Sequence, residues 1–105
     1  PDFVNFSLTP SPVVYGMPAK FVIAHNRPQS DIEVTIDIFD MQGQLLWSCS
    51  EHAVCDGAVY EHEWNGALSG GQPLSTGVYL ARAYIASGGS VSSSRVVKFV
   101  VINNK

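Results

Sequence analysis

His25, His52 and His62 are the imidazoles of this chain, and Cys49 and Cys55 are its thiols. These are the groups from which a Cys–His dyad or a metal site would be built. Their spacing matches neither: no Cys-x-x-Cys pair is present, His52 falls inside the loop "CSEHAVC" between the two cysteines, and His62 reads as a polar residue at the edge of an aromatic face. Asp31, Asp37 and Asp40 would suit calcium, but Asp31 and Asp37 read as water-facing strand residues and Asp40 as a turn former. Tyr60, Trp64 and Tyr79 would make a sugar-stacking platform if exposed, and core aromatics if not. The sequence therefore assigns no catalytic residue, no metal and no cofactor. The two cysteines are compatible with a disulfide that pinches one short loop in an extracytoplasmic compartment, or with two buried or half-buried thiols.

The elements that position these residues are strands. Hydrophobic residues alternate with polar ones along most of the chain, and turn residues recur at the spacing of about 8 to 12 residues found in β-sandwiches. "AKFVIAH" puts Phe21 and Ile23 on one face and Lys20 on the other, and the turn "NRPQSD" follows. In "DIEVTIDIFD", Ile32, Val34, Ile36 and Ile38 face a core while Glu33, Thr35 and Asp37 face water. "DMQG", Asp40 to Gly43, is a tight turn into "QLLWSCS", where Leu45, Trp47 and Cys49 are expected to share a face. "AVYEHEW" sets Tyr60, His62 and Trp64 against Glu61 and Glu63. In "GVYLARAYIA", Arg82 turns Tyr79, Ala81, Ala83 and Ile85 inward, and in "RVVKFVVIN", Lys98 does the same for Val97, Phe99 and Val101. Val78, Leu80, Tyr84, Val96, Val100 and Ile102 are then left on an apolar outer face.

The expected architecture is all-β, an immunoglobulin-like antiparallel sandwich of about seven strands. Cys49 and Cys55 are too close in sequence to bridge two sheets, so the likeness to antibody domains is architectural. At 105 residues, 46% hydrophobic and 14% charged, residues 1–105 form one domain with one core. The net charge of −3, with six scattered Lys and Arg, lacks the basic footprint that nucleic acid requires. No apolar run nears the roughly 20 residues of a membrane-spanning helix. The chain opens on Pro1 rather than Met, so it is expected to be a piece of a longer protein.

Three pieces in fixed order carry a family resemblance: "IFDMQGQLL" (Ile38 to Leu46), "WNGALSGGQPLSTGVYLARA" (Trp64 to Ala83) and "KFVVIN" (Lys98 to Asn103). Asp40 with Gly43, Trp64 before a turn containing Gly66, Gly77 with Tyr79, and the terminal Lys-apolar strand are the structural motif. It resembles the C-terminal signal domain of type IX secretion in Bacteroidetes, and the related immunoglobulin-like domain of flagellar hook-capping proteins. The resemblance implies a non-catalytic sorting and anchoring module whose parent, either cargo such as a protease or a machinery component such as the sortase, passes through the periplasm to the outer membrane and cell surface. Lys98, Phe99, Val100, Val101 and Ile102 would be the recognition strand, and an outer-membrane secretion or shuttle protein the partner. An apolar strand with an unpaired edge also favours a homodimer. The competing reading is an adhesion or carbohydrate-binding module.

Overall fold

The computed structural model describes residues 3–25, 31–54, 59–68, 70–87 and 90–103. The turn expected at residues 26–30 lies outside them. Eight strands follow in order: β1 Phe3–Thr9, β2 Val13–Val14, β3 Ala19–His25, β4 Asp31–Phe39, β5 Leu45–Val54, β6 Val59–Trp64, β7 Gly77–Ser87 and β8 Ser90–Ile102. They form a three-stranded sheet, β1-β3-β6, and a five-stranded sheet, β2-β8-β7-β4-β5, with no helix among the described residues. The sandwich expected from the alternation is thus borne out, with the two-residue β2 as an addition.

The core lies between the sheets. From one side come Ile32, Val34, Ile36 and Ile38 of β4 with Ala81, Ala83 and Ile85 of β7, and from the other Phe21 and Ile23 of β3 with Tyr60 and Trp64 of β6. Antiparallel register sets Ile36 against Ala83 and Ile38 against Ala81, so a bulky side chain on β4 meets a small one on β7, and all four are buried. Phe99 of β8 contacts Trp64 edge-on at 5.8 Å and Tyr79 at 5.9 Å, joining the last strand to the same core.

Two parity expectations change. Leu45 is 53% exposed, whereas Leu46 and Trp47 pack against the core. The cause is a bulge: Ile38 pairs with Trp47 and Phe39 with Leu45, so Leu46 is an extra residue that resets the alternation of β5. Asp37, expected to face water, is only 9% exposed. It lies under Arg82, and Ser48 Oγ donates to its Oδ1 at 2.6 Å.

The turn between β4 and β5 is organised by Asp40. Its Oδ1 accepts the N–H groups of Gln42 and Gln44, each at 2.9 Å, its carbonyl accepts the Gly43 N–H at 3.1 Å, and Gly43 has φ of 89°. Side-chain and main-chain bonds converge on one residue, as Asp does in tight turns. Before β7, Tyr79 Oη donates to the Ser75 carbonyl at 2.7 Å and fixes the entry of that strand.

Candidate functional site

The outer face of the five-stranded sheet is built in cross-strand rows. Val78 of β7 lies opposite Val100 of β8, and the next row runs from Lys98 through Leu80 to Phe39. The third runs from Val96 through Arg82 and Asp37 to Ser48. Val78, Val96 and Val100 are 38%, 61% and 41% exposed, so this apolar surface is open. Beside it is a shallow groove of about 300 Å³ lined by Phe39, Gly43, Leu80, Arg82 and Val96. The Arg82 guanidinium carbon lies 4.8 Å from the ring centroids of both Phe39 and Tyr84, and Nη2 donates to Asp37 Oδ2 at 3.3 Å. The cation is held across the face by the two rings, and its charge is balanced by Asp37, its neighbour in the same row.

Of the five residues expected to form the recognition strand, the fold divides the set. Phe99 and Val101 are 4% and 0% exposed and belong to the core, Lys98 and Val100 point outward, and Ile102 is half-buried. The edge of β8 is also less open than expected. Val13 and Val14 of β2 pair in parallel with Val101 and Ile102, and the Tyr15 N–H bonds to the Ile102 carbonyl at 2.9 Å. Asn103 fastens the end: its N–H donates to Thr76 Oγ1 at 2.8 Å and its Nδ2 to the Leu74 carbonyl at 3.0 Å. No sheet partner occupies that side of β8 among the described residues before Val101. Chemically, this surface offers main-chain donors and acceptors along a partial edge, next to an apolar stripe. Phe39 was not expected to join it, because only the β4–β7 register sets it beside Leu80.

A second cluster closes the opposite side of the sandwich, where β5 and β6 are edge strands of different sheets. Cys49 Sγ lies 3.7 Å from His62 Nε2, His62 Nδ1 is 3.6 Å from Glu51 Oε1, and Tyr60 Oη donates to the same carboxylate. The fold thus brings together a cysteine and a histidine whose sequence spacing suggested nothing. Burial, and secondarily the Glu51 charge, push the Cys49 thiol above its ordinary pKa, the reverse of what a thiolate nucleophile requires. The cluster serves as a polar join between two sheets that, among the described residues, share no main-chain bonds there. Cys55 lies outside the described residues, and with it the choice between a disulfide to Cys49 and two thiols that the sequence left open. His25 is buried in β3 and His52 is exposed on β5. Among the described residues, no three His, Cys, Asp or Glu side chains converge as cation ligands. Tyr60, Trp64 and Tyr79 are 7%, 5% and 8% exposed, so they are core residues and not a surface platform.

No protein-family model matches the chain, and no curated protein matches it at a significant level. Among solved structures, it is similar to dimeric latent PorU from Porphyromonas gingivalis, with 32% identity and a TM-score of 0.81 over 94% of this chain. The chain spans 9% of the length of that PorU chain. CopC from Methylosinus trichosporium OB3b is similar in fold, at 15% identity and a TM-score of 0.60, covering 99% of this chain and 95% of CopC. So is the C-terminal domain of wzt, at 13% identity and a TM-score of 0.57, covering 98% of this chain and 72% of that one. The likeness to PorU bears out the resemblance to type IX secretion C-terminal domains drawn from the three ordered motifs.

Proposed function

From this likeness to one domain of a type IX secretion protein, we propose that the chain is a non-catalytic sorting and anchoring module that directs its parent protein across the outer membrane. The observation that carries the reading is the open apolar face of β7 and β8, where Val78, Val96 and Val100 lie exposed beside the groove of Phe39, Leu80 and Arg82. A face of this kind is costly to leave in water, and its natural complement is another protein surface. The proposed partner is an outer-membrane secretion or shuttle protein, which would cover the valines and extend the sheet along β8. The parent, a protease or another exported protein, would cross the periplasm and remain at the cell surface.

The test is a fusion of the 105-residue chain to the C-terminus of a periplasmic reporter in a bacterium that has the type IX pathway. Export of the reporter to the surface is expected, dependent on the pathway. A reporter that stays in the periplasm while the fused domain is folded would overturn the proposal.

A further inference from the structure

At one end of the sandwich, away from the outer face of β7 and β8, a cavity of about 500 Å³ opens between the β2–β3 connection and the meeting of β5 with β6. Its walls include Met17, Pro18, Trp47, Glu63, Trp64 and Asn65. A volume within the range of about 300–1,000 Å³ is that of a small-ligand site. The apolar wall is set rigidly. The half-buried Trp47 indole is stacked on Phe21 at 5.9 Å between centroids and 17° between planes, and tilted against Trp64 at 5.7 Å and 44°. Its position follows from the β5 bulge, which turns Trp47 to the inner side of the sheet beside Ile38.

The rim is polar and uncommitted. Glu63 and Asn65 are exposed, and neither side chain is engaged by another described residue; the nearby Lys20 pairs instead with Glu61 at 3.6 Å. Trp64 has already spent its indole N–H on the Ala67 carbonyl at 3.1 Å, so its contribution is apolar surface. Among the described residues no Lys, Arg or His lines the cavity, and the Glu63 carboxylate would repel an anion. A cation would take the ring face and the carboxylate but leave the Asn65 amide donor without a role. A neutral polyol is the ligand class that uses all three groups: an aromatic wall for its C–H face, a carboxylate to accept from hydroxyls, and an amide that both accepts and donates.

We propose that this cavity binds a pyranose residue of a neutral glycan, with Trp47 as the wall and Glu63 and Asn65 as the hydrogen-bonding rim. The site is independent of the sorting face. The 105-residue chain is applied to an array of neutral, sialylated and sulfated glycans, and the retained sugars are then titrated in solution while tryptophan emission is followed. Neutral glycans are expected to be retained. Glu63→Gln and Asn65→Ala are each expected to weaken binding at least about tenfold with melting unchanged, a loss corresponding to one rim contact. Trp47→Phe is expected to reduce the emission change, since Trp47 is the half-buried indole of the wall while Trp64 is 5% exposed. Val96→Ser with Val100→Ser leaves glycan binding intact, which separates this site from the sorting function. Retention of no glycan, retention of anionic glycans only, or undiminished binding by both rim variants would each overturn the proposal.

Discussion

Arg82 of β7 lies over Asp37 of β4, with Nη2 3.3 Å from Oδ2. The arginine side chain is 38% exposed and the carboxylate 12%, so the pair is neither a free surface bridge nor a fully buried one. Arg82→Ala would leave Asp37 with only the Ser48 hydroxyl among the contacts described above. A loss of about 1–2 kcal/mol is expected, below the 3–5 of a fully buried pair because water reaches the arginine. Arg82→Lys keeps the charge but loses the contact with Phe39 and Tyr84, and should fall between. Urea denaturation of both variants checks the order; equal stability of Arg82→Ala and the parent would show that the row carries no energy.

The outer and inner residues of β8 should separate in their effects. Phe99→Ala removes a 4% exposed ring from the core and is expected to cost about 3–5 kcal/mol. Val96→Ser with Val100→Ser removes exposed methyls and should stay within about 0.5 kcal/mol for each change. The double variant should nonetheless lower secretion of a fused reporter, and lower any self-association seen by sedimentation. If it melts as low as Phe99→Ala, the outer face is structural and the sorting proposal loses its surface.

At the β4–β5 turn, the cost of change is in the backbone. A Cβ at Gly43 would meet nothing within 4 Å, but φ of 89° strains any L residue. Gly43→Ala is expected to destabilise by about 0.5–2 kcal/mol, and Gly43→Asn by less, because Asn tolerates the left-handed region. Asp40→Ala should fall in the same range as Gly43→Ala, through loss of the two N–H contacts it accepts. Thermal melting that is unchanged in Gly43→Ala and Asp40→Ala would remove this account of the turn.

His25 is 2% exposed at the end of β3, and burial pulls its pKa below the ordinary 6.5. The folded chain therefore binds this proton less readily than the unfolded chain. The associated stability is fully present above pH 6.5 and falls as the pH drops below 6.5 and through the folded pKa. Melting should be lower at pH 5 than at pH 7.5, and His25→Gln should shrink that difference whatever it does to absolute stability. A pH response identical in the variant would place the titration elsewhere.

What could be read in the sequence was whatever the backbone imposes locally. Successive strand side chains point to opposite faces, so Ile32, Val34, Ile36 and Ile38 had to share one face, and Arg82 and Lys98 chose the parity of β7 and β8. The turn at Asp40 and Gly43 was legible for the same reason: its bonds run between residues at most four apart. The resemblance to type IX domains rested on such local pieces in order, and the likeness to PorU agreed with it. The tertiary structure decided everything that needs two distant segments at once. Leu46 became the extra residue of a bulge only against Ile38 and Phe39, and Asp37 was buried only because the β4–β7 register put Arg82 over it. Val13 and Val14 covered the last residues of β8 from the far end of the chain, and Trp47, Glu63 and Asn65 came to one cavity from separate segments. Alternation sets which way a side chain points but holds no information on which strand lies beside it; that is set by how the two sheets bury their apolar faces together.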